Sequence, residues 1–283
     1  MSDTRSAGRY GVIGNPIRHS RSPEIHEQFA QQCSIALSYE RILAPLDGFE
    51  HSVQDFFQSG KGLNVTLPFK EQAFELASHN LSRRARMAGA VNTLWLQDGQ
   101  LHGCNTDGVG LCADLRRLGH DPADRRILLI GAGGACRGVV FPLLQAGCEL
   151  LHIINRTSTK AHDLREHVVA LEPDTSRRLS AGGLDDHSGD WDIIINATSA
   201  SLQQSLPELP DARYRKHSLA YDMFYAGEPT AFMVAAERAG ADQVADGLGM
   251  LVGQAAASFA IWHGVEPDVE PVLAALRQHS GHI

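Results

Sequence analysis

Arg126-Ile127-Leu128-Leu129-Ile130-Gly131-Ala132-Gly133-Gly134-Ala135 is the stretch that decides how this chain folds. A short apolar run, bounded by charge on one side and glycine on the other, reads as a buried parallel strand. Residues 136–147 follow, rich in Val, Leu and Ala at helical spacing. Pro142 removes one backbone donor inside that helix and is expected to bend it. Leu150-Leu151-His152-Ile153-Ile154-Asn155 then reads as a second buried strand. Strand, glycine turn, helix and strand make the βαβ unit of a dinucleotide-binding fold.

The alternation continues outward in both directions. Residues 158–170 read as a helix, 192–196 as a strand running into Ala197-Thr198-Ser199, 218–223 as a strand, 229–239 as a helix, and 242–245 as a short last strand. Residues 108–247 therefore form one doubly wound α/β Rossmann domain. Ahead of it, residues 10–14, 37–44, 62–67 and 90–96 read as strands, with helices at 22–33, 47–58 and 69–87 between them. Residues 1–107 are thus a second α/β unit. Two helices, 248–262 and 267–279, make up the C-terminal part, 248–283, and are expected to pack back on the N-terminal domain. The fold class is α/β, in two lobes.

Composition narrows the function. The 283 residues carry 25 Lys and Arg against 33 Asp and Glu, a net charge of -8. That balance disfavours a nucleic-acid binder, which needs a basic face, and leaves room for a local basic pocket for a small anion. No apolar run reaches the ~18–20 residues of a membrane helix, and no hydrophobic signal region follows Met1. The five cysteines, Cys33, Cys104, Cys112, Cys136 and Cys148, are odd in number and form no C-x-x-C pair. A disulfide framework and a structural zinc site are not expected, and a reducing cytoplasm is. The 14 histidines show no metal-ligand spacing, so no metal is expected.

The glycine turn lets the backbone approach a pyrophosphate, and the helix behind it offers N–H groups to the anion. Tight strand–helix turns use glycine for purely structural reasons too; the strand before and the helix after give this one its meaning. The end of the second strand then discriminates between cofactors. An NAD site places Asp or Glu there for the ribose 2′-hydroxyl. Here the chain reads Asn155-Arg156-Thr157, with Lys160 a turn later and no carboxylate. A guanidinium pairs well with a phosphate dianion, which a carboxylate would repel. The cofactor expected is NADP, unless Arg156 is an ordinary surface charge.

Two clusters carry chemistry in the N-terminal half. In Asn15-Pro16-Ile17-Arg18-His19-Ser20-Arg21-Ser22-Pro23, Ser22 and Pro23 read as the N-cap and first residue of a helix. Ser20 and Ser22 equally place two hydroxyls at a helix N-terminus, where a carboxylate is welcome. In Asn64-Val65-Thr66-Leu67-Pro68-Phe69-Lys70, a strand with polar Asn64 and Thr66 on one face enters a helix whose first turn carries Lys70. A lysine there opposes the helix dipole, and a Lys of lowered pKa serves as general acid or base. Asn92 and Asp107 fall at strand ends downstream. Asp107 is expected to face a cleft, or to cap the helix behind it.

Taken together, Asn15-Pro16-Ile17-x-His19-Ser20-x-Ser22-Pro23, Asn64-Val65-Thr66-x-Pro68-x-Lys70, Gly89-Ala90-Val91-Asn92-Thr93 and Asn105-Thr106-Asp107-Gly108 resemble shikimate dehydrogenase, of the NADP-dependent bacterial AroE type. So do Gly131 to Ala135, Asn155-Arg156-Thr157, Ile195 to Ser199, Tyr221-Asp222-Met223 and the run from Asp246 to Ala255. The likeness spans almost the whole chain in order. It implies hydride transfer between NADPH and 3-dehydroshikimate, giving shikimate, in aromatic amino acid biosynthesis. It implies Lys70 and Asp107 as the catalytic pair, and Ser20 and Ser22 with Tyr225 on the substrate carboxylate. Asn64, Thr66, Asn92 and Gln254 fall on its ring hydroxyls. Gly131, Ala132, Gly133, Gly134 and Ala135 correspond to the pyrophosphate turn, Asn155, Arg156, Thr157 and Lys160 to the 2′-phosphate site, and Met223 and Gly247 to the nicotinamide. A monomer or homodimer acting on a small molecule is expected. Three positions depart from the pattern: Lys160 stands where many relatives have Arg, Cys136 replaces Ser or Ala, and Ala200-Ser201 stands where Gly is common.

Overall fold

The structure, a computed structural model, describes residues 7–187, 189–198 and 213–280. Ser199 and the Ala200-Ser201 departure lie outside these residues. The chain divides into two compact units, Met1–Thr106 with Val252–Ala275, and Asp107–Leu251 with Leu276–Ile283.

In the first unit, β1 (Gly8–Gly14), α1 (Ser22–Gln32), β2 (Leu37–Leu43), α2 (Phe49–Phe56) and β3 (Gly60–Val65) alternate strictly. These three strands are parallel. Then the pattern changes. The stretch read as one helix over 69–87 is three pieces: α3 (Lys70–Leu76), a 3-10 turn (Ser78–Asn80) and α4 (Arg83–Ala88). Ser and Asn side chains compete with the helix for backbone groups, and Ser82 restarts it, its hydroxyl accepting from the Ala85 N–H at 3.1 Å. The strand read at 90–96 is β4 (Thr93–Gln97), and it pairs antiparallel with β5 (Gln100–Cys104), the strand before Asp107 to which the sequence reading gave an end but no range. Asp98 and Gly99 both have positive φ, 52° and 74°. That is the geometry of a two-residue hairpin turn, for which Asp-Gly is the preferred sequence. The sheet order is β2-β1-β3-β4-β5. Ile13, Leu63, Val65, Phe69, Val91 and Leu94 form its core with Phe49 and Phe56 of α2.

The second unit contains α5 (Asp107–Arg117), β6 (Arg126–Ile130), α6 (Gly134–Gln145), β7 (Leu150–Ile154) and α7 (Ser158–Leu171). It continues through β8 (Leu179–Gly182), β9 (Asp190–Asn196), β10 (Arg213–Asp222), α8 (Ala231–Arg238) and β11 (Gln243–Ala245). All six strands are parallel, in the order β11-β10-β9-β6-β7-β8. Counted within the unit this is 6-5-4-1-2-3, the dinucleotide-binding order, whose direction reverses between β6 and β9. Strand β8 was not expected: it is short, lies at the sheet edge and has no apolar run. Helix α6 runs through Pro142. Leu128, Ile130, Ile154 and Ile194 lie buried under Trp191 and Phe232.

After β11 come α9 (Leu248–His263) and α10 (Val269–Ser280). Helix α9 packs on the N-terminal sheet. Phe259 meets Phe29 edge-on at 5.7 Å, Trp262 lies 5.2 Å from Tyr10, and the Trp262 indole N–H donates to the Leu94 carbonyl at 3.3 Å. At the start of α10, the Gln32 amide exchanges hydrogen bonds with the main chain of Asp268 in both directions.

Candidate active site

Ligands of parallel sheets bind beyond the carboxyl ends of the strands. In the first unit, that end gathers polar side chains. After β1, the Ser20 hydroxyl accepts from the Ser22 N–H at 3.3 Å and lies 3.2 Å from the Ser22 hydroxyl. The expected N-cap is corrected here. Arg21 is the capping residue and makes no side-chain cap; Ser22 is the first helical residue and Pro23 the second. Ser20 serves the terminus instead, since its hydroxyl reaches two residues on, as Ser side chains do in turns. Arg41 of β2 fixes this loop by donating to the Ser20 carbonyl at 2.8 Å.

Past β3, the Thr66 N–H donates to the Ile13 carbonyl at 3.0 Å. Lys70 is the first residue of α3, half-buried, and its carbonyl accepts from the Val91 N–H at 2.9 Å. That bond brings the Lys70 main chain to the residue before Asn92. Between them lies a buried polar cluster. The Tyr39 hydroxyl donates to Asn64 Oδ1 at 2.7 Å. Asn64 Nδ2 donates to the Asn92 carbonyl at 3.1 Å and to Ser258 Oγ at 3.0 Å. Asn92 Oδ1 accepts from Thr93 Oγ1 and from the Thr106 N–H, and its Nδ2 lies 3.4 Å from Gln254 Oε1. Burial raises the Tyr39 phenol well above its ordinary pKa, so it stays a donor. Its ring stacks on His26 at 4.4 Å. Burial lowers the His26 imidazole to about 3, the Asn64 amide opposing the shift, so His26 is neutral.

In the second unit, Gly131 follows β6 with φ +118°, a region that side chains with a Cβ rarely adopt. A Cβ there would also sit 3.2 Å from the Ala197 carbonyl. Gly133 and Gly134 differ: a Cβ on either would meet no protein atom, and Gly133 has an ordinary φ of −82°. The space they leave open lies at the N-terminus of the 12-residue α6, where an anion is stabilised. Asn155 and Thr157 meet through an amide-to-carbonyl bond of 2.9 Å just before α7, and Arg156 and Lys160 are exposed beside them. This donor set fits a pyrophosphate and a ribose 2′-phosphate.

Met223 and Gly247 also come together. A Cβ on Gly247 would overlap the Met223 carbonyl. The Gly247 N–H donates to the Phe224 carbonyl at 3.0 Å. Asp222 holds this turn, taking bonds from Asn196 Nδ2, the Phe224 N–H and Thr230 Oγ1. Asp246, beside Gly247, receives the guanidinium of Arg277 in a two-pronged pair. Tyr225 is half-buried, with its ring 6.2 Å from that of Phe224. Asp107 is buried as the first residue of α5, not its cap. No group of three or more His, Cys, Asp or Glu placed to hold a metal ion occurs among the described residues. None of the described helices is long and apolar enough to cross a membrane.

Comparison with known proteins decides the family. Residues 12–94 match the shikimate dehydrogenase substrate binding domain, 115–208 the shikimate/quinate 5-dehydrogenase domain, and 247–277 the shikimate 5'-dehydrogenase C-terminal domain. A shikimate dehydrogenase (NADP(+)) of Bordetella petrii is 57% identical over 280 residues, 98% of each chain. The chain belongs to the shikimate dehydrogenase family. An Ael1 enzyme from Pseudomonas putida is 45% identical and superposes with a TM-score of 0.87, covering 95% of this chain and 98% of that one. The Thermus thermophilus shikimate 5-dehydrogenase, solved with NADP(H) and shikimate, is 32% identical with a TM-score of 0.83, over 96% and 99%.

For a shikimate dehydrogenase, the structure gathers the residues expected at the substrate into one unit: Ser20, Ser22, Asn64, Thr66, Lys70, Asn92 and Gln254. Asp107 and Tyr225 fall in the other unit, with the glycine turn. Sequence reading missed Tyr39, Thr93 and Ser258, whose hydroxyls hold the Asn64 amide; that of Thr93 also donates to Asn92 Oδ1. For Ser258 one signal was present: it stands four residues beyond Gln254, on the same face of α9.

Proposed function

We propose that this protein catalyses the reversible NADPH-dependent reduction of 3-dehydroshikimate to shikimate, with Lys70 and Asp107 handling the proton, in the shikimate pathway of aromatic amino acid biosynthesis. The observation that carries the reading is the likeness to an NADP-dependent shikimate dehydrogenase over 98% of both chains. The open turn at Gly133 and Gly134 and the carboxylate-free end of β7 support it from this chain's own residues.

Bound NADPH supplies the hydride to the carbonyl carbon. The protein's task is the charge that builds on the carbonyl oxygen. Lys70 Nζ stabilises that oxygen and gives it a proton, leaving a hydroxyl; in the reverse direction it takes the proton back. Asp107 is the second member of the pair, orienting the groups between which the proton passes. Ser20, Ser22 and Tyr225 hold the substrate carboxylate, and Asn64, Thr66, Asn92 and Gln254 orient the ring hydroxyls. Gly131, Ala132, Gly133, Gly134 and Ala135 receive the pyrophosphate. Asn155, Arg156, Thr157 and Lys160 receive the 2′-phosphate, and Met223 and Gly247 line the nicotinamide. The five free cysteines support a reducing cytoplasm as its compartment.

The test is a spectrophotometric assay of shikimate oxidation with NADP+ and with NAD+, run on wild type and Lys70→Ala. The expected result is turnover favouring NADP+ and a kcat lower by ~10²–10⁴ in the variant. Near-normal turnover in Lys70→Ala would identify a different proton carrier, and no oxidation of shikimate would end the reading.

A further inference from the structure

We infer that Ser258 and Tyr39 are positioning residues that lock the Asn64 amide so that it presents an acceptor, and no donor, to a ring hydroxyl of the substrate. The inference rests on the reading that Asn64 binds such a hydroxyl.

The argument is an account of protons. A primary amide has two N–H donors and an oxygen with two lone pairs. The Asn92 carbonyl, 3.1 Å from Asn64 Nδ2, can only accept, so nitrogen must stand on that side. Ser258 Oγ takes the second N–H at 3.0 Å. Ser258 lies 3.0 Å from the Gln254 carbonyl one turn earlier in α9 and 2.8 Å from Thr93 Oγ1. Whichever of these receives the Ser258 proton, its oxygen keeps a lone pair for Asn64. On the other side, the Tyr39 hydroxyl donates to Asn64 Oδ1 at 2.7 Å. Burial keeps that phenol protonated, and stacking on His26 fixes its ring. Both N–H groups of Asn64 are thereby used inside the protein, Thr93 Oγ1 standing 3.3 Å from the same nitrogen as a third, longer acceptor, and one lone pair of Oδ1 is left beside the one that Tyr39 fills.

A hydroxyl that donates to this lone pair is accepted. A keto group at the same ring position has no proton to give, and its oxygen would meet the Asn64 oxygen. The amide therefore selects a hydroxyl over a carbonyl at that position, and the two hydroxyls behind it hold the selection in place. Ser258 and Asn64 are nearly or fully buried, at 0% and 6% exposure, so water does not substitute for a lost partner.

The experiment is steady-state kinetics of shikimate oxidation by the full-length enzyme as wild type, Ser258→Ala, Tyr39→Phe, Asn64→Ala and the double variant Asn64→Ala/Ser258→Ala. Loss of one neutral hydrogen bond predicts a rise of about 3- to 10-fold in KM for shikimate in each of the first two variants. Their kcat should stay within about twofold and their KM for NADP+ should not move. The double variant should match Asn64→Ala alone, because Ser258 acts through that amide. Unchanged KM values in Ser258→Ala and Tyr39→Phe, with a raised KM in Asn64→Ala, would overturn the inference and leave the site reading intact. So would additive effects in the double variant. An unchanged KM in Asn64→Ala would overturn the site reading itself. Should Ser258→Ala not fold, Tyr39→Phe with Asn64→Ala completes the same cycle.

Discussion

Two glycines in one turn make opposite predictions. Gly131→Ala places a Cβ on a backbone with φ +118°, 3.2 Å from the Ala197 carbonyl carbon and oxygen. Holding a non-glycine residue in such a region costs on the order of 1–3 kcal/mol. The neighbour here is backbone whose Ala197 N–H is bonded to the Ile130 carbonyl at 2.8 Å, so it cannot turn aside as a side chain would. A loss of about 2–4 kcal/mol follows, which lowers Tm by ~4–16 °C for a unit of this size. Gly133→Ala adds the same methyl group where no protein atom lies within 4 Å, at an ordinary φ of −82°. The reduced freedom of the unfolded chain and the weaker capping by Ala nearly cancel, so Tm should move by no more than ~2 °C. The methyl instead occupies space where the pyrophosphate is proposed to lie, and KM for NADP+ should rise about tenfold or more. The assay is a thermal melt without cofactor together with cofactor titration of turnover. Equal Tm values for the two variants would refute the strain argument. A normal KM for NADP+ in Gly133→Ala would refute the assignment of the turn to the pyrophosphate.

Arg156→Ala should raise KM for NADP+ by ~10- to 100-fold, the worth of a charge-assisted contact, and leave KM for NAD+ nearly unchanged; equal changes would show that Arg156 does not read the 2′-phosphate. His26 is held neutral by burial, its pKa lowered to about 3 from 6.5. The unfolded chain therefore binds the extra proton first: the stability is complete above pH 6.5 and is lost as pH falls toward 3. Between pH 7 and pH 5 the wild type should lose about 2 kcal/mol through this group, and His26→Phe should lose that much less in urea titrations at the two pH values. Tyr221→Phe removes the hydroxyl that donates to buried Asp114 at 2.7 Å and accepts from the Met250 N–H at 3.3 Å. Leaving both partners short should cost about 2–4 kcal/mol, read as a fall in Tm; an unchanged Tm would show that water replaces the hydroxyl.

Sequence alone determined the parts of this protein that depend on local pattern. The run Arg126–Ile130 with its glycines, and the apolar run after residue 149, state strand, turn, helix and strand without help from the rest of the chain, because burial on both faces demands continuous apolar residues. The missing carboxylate at Asn155-Arg156-Thr157 indicated the cofactor for the same reason: charge at one strand end acts over a few ångströms. The resemblance of the chain's motifs to a family singled out Lys70 and Asp107 as the proposed catalytic pair. Tertiary structure decided what depends on partners distant in sequence. Strand β5 was legible only at its ends, in the polar residues before Asp107 and in the Asp98-Gly99 turn, since its half-buried residues carry no apolar run, and β8 exists because β7 offers it an edge. Helix 69–87 broke where Ser82 found a cap. Ser258 belongs to the site because α9 returns to the first sheet and sets its hydroxyl against Asn64, 194 residues away in sequence. A hydrogen bond requires two groups at one place, and only the folded chain brings them there.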